Sequence, residues 1–166
     1  MKLKIPFYRQ KTTYDCGPAS LEMVLAFFGK FESQKKLEKM AHTSSKRGTT
    51  HQGMIDLALK EKFFCYVNEN STISKIKSFI KKKLPVIVNF IEPSADDGHY
   101  AIVSGFKDDH IILNDPWNGK NFKMLIKEFE KRWYYYYEKH RYSKWLMVLS
   151  KDDFNLGKEY KPKKQR

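Results

Sequence analysis

Apolar residues recur at helical spacing in the first half of the chain and in short β-rich runs in the second. After Cys16, the side chains of Leu21, Val24, Leu25 and Phe28 fall on one helical face. Pro18 suits a first turn and Gly29 a stop, so a helix is predicted to begin at the cysteine. Shorter helices are predicted over 34–41 and 51–62, the second capped by Thr50 and burying Ile55, Ala58 and Leu59. Residues 63–67 read as a strand, and 74–82 as a helix carrying Ile76, Phe79 and Ile80. The period then shortens, with strands expected over 86–91, 100–106 and 110–114. Lys107-Asp108-Asp109 joins the last two as a hairpin. A helix near 124–133 and a strand over 145–150 complete the pattern, and the first ten residues look extended. Helices followed by an antiparallel meander predict the α+β class. No Pro/Gly/Ser-rich linker divides the chain, so one domain is expected over 1–152, with 153–166 as a basic, flexible tail.

Composition narrows the picture. The chain has 166 residues, 41% of them apolar and 15% aromatic, which argues against disorder despite a net charge of +13. Its longest mostly apolar run, 84–91, is far short of the ~20 residues of a membrane span, and no secretory signal is visible. A cytoplasmic protein is therefore expected. The lysines are scattered over amphipathic segments and read as solvated helix faces, leaving an anionic partner open for the basic surface. Nucleic acid is not the expected main partner, because neither a zinc-finger spacing nor an RNA-binding aromatic signature appears.

The two cysteines differ in setting. Cys65 lies in the apolar run Phe63-Phe64-Cys65-Tyr66-Val67 and reads as a buried small hydrophobe. Cys16 lies in Tyr14-Asp15-Cys16-Gly17-Pro18-Ala19-Ser20, where the partial positive charge of a helix N-terminus would favour a thiolate. No metal-ligand spacing is present, and no cofactor is called for. A nucleophilic cysteine needs a base and a group to orient it. Of five histidines, His99 has the best setting, at the start of a strand after Ala95-Asp96-Asp97-Gly98. The other histidines, His51 among them, have no comparable setting. Asp115 ends the next strand, so the hairpin should bring it beside His99, with Asp96 or Asp97 as alternative acids. Gln10, six residues before Cys16, could donate to an oxyanion together with the Cys16 N–H. Gly17 and Gly98 would let a substrate approach, and Trp117 could roof the site. The Tyr134–Tyr137 run reads as a packing face or edge strand.

Gln10 ahead of Cys16, the DCGPAS string, His99-Tyr100-Ala101-Ile102-Val103 and Asn114-Asp115-Pro116-Trp117 together resemble the double-glycine-leader peptidases. These are papain-like cysteine peptidases, best known as the N-terminal domain of bacteriocin-exporting transporters. The resemblance runs from about residue 5 to about residue 150, with the motifs in family order. It implies a papain-like fold, Cys16 as nucleophile, His99 as base, Asp115 as orienting acid, Gln10 as oxyanion donor and a peptide or protein substrate. Since no transporter segment follows within the 166 residues, it also implies a free-standing member, expected to be a monomer. Glutamine deamidation or acyl transfer on the same residues, or a non-catalytic basic binding module, are the competing readings.

Overall fold

The computed structural model describes residues 1–163. Its first helix, α1 (Cys16–Phe27), has nine of its twelve residues buried, among them Leu21, Met23 and Leu25. A helix enclosed on nearly every side is fixed by packing, and truncating one such leucine costs about 2–5 kcal/mol. The start of α1, with Cys16, is therefore held by the core. The helices α2 (Gln34–Met40) and α3 (His51–Lys60) pack beside it. Ser33 and Thr50 cap them by accepting the N–H groups of Lys36 and Gly53. The predicted Thr50 cap is thus present, whereas α3 ends two residues short of the expected 62.

Strand β1 (Phe64–Asn68) and helix α4 (Ile73–Lys81) follow. The meander then runs through β2 (Val86–Glu92), β3 (Asp97–Lys107), β4 (His110–Asp115) and β5 (Gly119–Leu125). After α5 (Ile126–Arg132) come β6 (Tyr134–Tyr137), β7 (His140–Ser143), β8 (Leu146–Ser150) and β9 (Glu159–Tyr160). Seven strands form one antiparallel sheet in the order β5-β4-β3-β2-β8-β1-β9, and β6 and β7 form a separate ribbon. The α+β expectation is met. Consecutive residues of β2, β3 and β4 are buried, because helices pack over the middle of the sheet, and this is why those strands read as continuous apolar runs.

Two features depart from the sequence reading, and one refines it. Residues 119–125 form an edge strand with exposed Lys120, Asn121 and Lys123 that turns only Phe122 and Met124 to the core, and the helix expected from 124 starts at Ile126. The tyrosine run and 140–143 pair into the ribbon, held to the body through β2. The tail, expected to be flexible, adds a strand to the sheet edge: Tyr160 pairs with Cys65 and Glu159 with Tyr66, while Lys161 bonds Asp153 at 2.9 Å. The last three residues of that tail, 164–166, lie outside the described ones. Among the described residues, no helix is long and apolar enough to cross a membrane.

Candidate active site

His99 lies near the start of β3 and Asp115 at the end of β4. Ile102 pairs with Asn114, so continuing that register sets Asp115 opposite Ala101 and His99 on the diagonal, on the same face. The diagonal is bridged by a hydrogen bond of 2.6 Å between His99 Nε2 and Asp115 Oδ1, both side chains buried. Asp115 Oδ1 also accepts the backbone N–H groups of Trp117 and Asn118, each at 2.9 Å, and Oδ2 accepts from Asn118 Nδ2 at 3.1 Å. With Nε2 committed to Asp115, Nδ1 is the nitrogen left to face Cys16, whose sulfur is near enough to raise the basicity of the ring. Cys16 itself is half-buried and opens on a cleft of about 320 Å³.

The electrostatics favour charge on both partners. Burial alone would lower the pKa of His99, but its hydrogen bond to the Asp115 carboxylate and the Cys16 sulfur beside it outweigh burial and push the imidazole up to about 10. Burial likewise opposes ionisation of Asp115, yet His99 and Asn118 hold its carboxyl below the usual range. Asp96 and Asp97 do not take this place. Asp96 is exposed and pairs with Arg132 at 2.7 Å, while Asp97 is exposed on the rim of the cleft.

Gln10 is carried by the same turn as Asp115, since its N–H donates to the Pro116 carbonyl at 3.0 Å. Its Nε2 donates to the Thr12 carbonyl at 2.8 Å, leaving one N–H uncommitted. Oε1 is buried and accepts no hydrogen bond among the described residues.

The three expected substrate contacts are placed differently from one another. Gly98 lines the cleft, and the space of a Cβ there is filled by the Tyr135 ring. Gly17 is buried, and a Cβ there would meet Thr49 Oγ1 at 2.8 Å and Met54 Sδ at 3.0 Å. Its small size thus serves the approach of α1 to the 44–49 loop rather than open space for a ligand. The Trp117 side chain is exposed and stands outside the cleft lining, while its backbone holds Asp115 and accepts from Arg9 at 2.7 Å.

Several residues to which the sequence reading gave no part in the site surround it. Asn89 Nδ2 donates to the His99 carbonyl at 3.1 Å, and its Oδ1 lies 2.8 Å from His51 Nε2. His51 stacks on Trp145 with ring centroids 4.0 Å apart, and burial pulls its pKa down to about 4, against the Asn89 bond, so it stays neutral near pH 7. The Tyr100 hydroxyl donates to the Thr49 carbonyl at 2.8 Å and ties β3 to the 44–49 loop. Tyr135 and Arg47 line the cleft from the opposite side, and Arg47 Nη1 donates to the Tyr137 hydroxyl at 3.1 Å. Cys65 is fully buried, and burial pushes its thiol pKa well up, as suits an inert core residue. Among the described residues, no three His, Cys, Asp or Glu side chains gather as a metal site requires.

A family model described as the Peptidase_C39 like family matches residues 2–140. The mesentericin-Y105 transport/processing ATP-binding protein MesD of Leuconostoc mesenteroides is 33% identical over 144 residues, covering 79% of this chain and 19% of MesD. The chain thus spans about a fifth of that relative's length. Among solved structures, the peptidase domain of Streptococcus ComA, a bi-functional ABC transporter of a quorum-sensing pathway, superposes with a TM-score of 0.72 at 25% identity, over 90% of this chain and 98% of that one. A double glycine motif protease from an AMS/PCAT transporter, in complex with its leader peptide, superposes at 0.69 with 21% identity, over 89% and 92%.

Proposed function

The chain belongs to the Peptidase_C39 like family of cysteine peptidases, and from that premise we propose that Cys16, His99 and Asp115 hydrolyse a peptide bond through a thioester. The observation that carries the reading is the buried His99 ring, bonded to the buried Asp115 carboxylate and set close to Cys16, which itself lines an open cleft. The imidazolium and the N-terminus of α1 both favour the thiolate. The thiolate attacks the scissile carbonyl, and the oxygen takes up negative charge. The Cys16 N–H and the uncommitted N–H of Gln10 stabilise that oxyanion, each donor contributing about 3 kcal/mol. His99 passes its proton to the departing amine as the C–N bond breaks. It then takes a proton from water, whose oxygen attacks the thioester and releases the acid, and the returned proton restores the imidazolium–thiolate pair. Asp115 keeps the ring oriented and stabilises its charge throughout.

The leader peptide held by the AMS/PCAT protease supports a peptide ligand in this cleft as well. Tyr135 lies over Gly98, so the space beside His99 is narrow and favours small residues next to the scissile bond. Incubation with a proteome-derived peptide library tests the proposal. Peptides cut by the wild type and left intact by Cys16→Ala are expected, with small residues before the cut. A mass gain of 1 Da without chain cleavage would replace hydrolysis by deamidation.

A further inference from the structure

Glu92 ends β2 with its side chain buried, yet among the described residues no Lys or Arg pairs with it. Its carboxylate is satisfied by donors alone. Oε1 accepts the Ser94 N–H at 3.1 Å, the Ser94 hydroxyl, and Asn118 Nδ2 at 3.1 Å, and Oε2 accepts the Ala95 N–H. Three of these bonds close the 93–96 turn that leads into His99. The fourth reaches across to Asn118, whose Nδ2 also donates to Asp115 Oδ2 at 3.1 Å. One amide nitrogen therefore spends its two hydrogens on two carboxylates. Turning that amide over would set its oxygen against both, so Glu92 fixes which way Asn118 points. Asn118 in turn fixes which oxygen of Asp115 is left for His99.

We infer that Glu92, acting through Asn118, is a positioning residue that orients Asp115 toward His99; the inference rests on the peptidase reading above. Neither residue touches the thiol or the ring nitrogens. Their effect is on the carboxylate that holds the imidazolium, and through it on the Cys16 thiolate. The hydrogen bonds also keep Glu92 ionised, lowering its pKa against the effect of burial. The charged groups around it are Asp115 beyond Asn118, Asp97 opposite it in the β2–β3 ladder, and the Arg132–Asp96 pair at the 93–96 turn.

The test follows alkylation of Cys16 by iodoacetamide against pH, read at that residue by mass spectrometry. The wild type is expected to react well below the pH at which an unfolded-chain thiol does. Glu92→Gln and Asn118→Ala are each expected to slow the reaction about tenfold at pH 6 and to move its acid limb up by about one unit. A variant with altered packing alone would keep the wild-type limb. A folded Asn118→Ala or Glu92→Gln with an unchanged profile overturns the inference. Should both variants fail to fold, exchange of the Asn118 side-chain N–H protons in the wild type decides: slow exchange supports the bridge, and exchange as fast as that of an exposed amide overturns it. A wild-type Cys16 no more reactive than an unfolded-chain thiol would remove the peptidase reading, and this inference with it.

Discussion

The two walls of the cleft are built in different ways. One wall, with Cys16 lining the cleft and His99 and Asp115 buried behind it, belongs to the core: α1 is almost wholly buried, and the carboxylate of Asp115 takes four hydrogen bonds. The other consists of the 44–49 loop and the β6–β7 ribbon. Tyr135 against Gly98 and Tyr100 on the Thr49 carbonyl join it to the first wall, while Arg47 on Tyr137 ties its two parts to each other. Groups that exchange protons need fixed distances, and those come from packed elements. Groups that select a ligand tolerate small shifts and can stand on a ribbon at the surface. Changes on the first wall should therefore act on rate, and changes on the second on substrate binding.

The largest effect is expected from Cys16→Ala, which should remove all measurable hydrolysis while leaving the melting temperature within a few degrees; residual turnover above background would break the division. Asp115→Asn comes next. By the behaviour of an acid that orients a histidine, kcat should fall about 10⁴-fold with KM little changed, as steady-state kinetics would reveal. A KM effect of equal size would place Asp115 on the binding side.

The His99–Asp115 pair also makes stability depend on pH, in a direction fixed by the two shifts. The folded pKa of His99 is raised, so its contribution is complete below its unfolded value of about 6.5 and is lost as pH climbs through about 10. Asp115 is depressed, so its contribution is present above about 3.9 and lost as pH falls below that. Melting temperature measured from pH 3 to 11 should fall at both ends, and Asp115→Asn should flatten both slopes.

Smaller effects belong to the second wall. Gly98→Ala puts a methyl group where the Tyr135 ring stands, and the ribbon must shift to admit it. An increase of about tenfold in KM is expected, with the alkylation rate of Cys16 nearly unchanged. Arg47→Ala should raise KM only a few-fold, because its bond to Tyr137 is at the surface. If either change slowed alkylation instead, the two walls would be one mechanical unit.

The reading of the sequence was most successful where local pattern and burial coincide. The stripe of α1, the Thr50 cap and the β2, β3 and β4 runs all appear close to their expected limits. The nearness of His99 and Asp115 was legible too, because a hairpin ties two distant positions through its turn. Strand β5 was missed because only Phe122 and Met124 of this edge strand face the core, too short an alternation to stand out among its exposed lysines. Gly17 and Gly98 look alike in the sequence, yet one packs on Thr49 and the other lies under Tyr135.

Family, fold class and the short list of candidate site residues thus follow from the sequence, since each depends on periodicity, on a motif in order, or on a single hairpin. Which side chains support them does not. Glu92, Asn118, Asn89 and Tyr135 come from separate segments, and their parts depend on the sheet register and on how the ribbon lies over the cleft. Hydrogen bonds between such segments exist only once the chain has folded, because burial makes each donor seek an acceptor within reach, and what is within reach is decided in three dimensions.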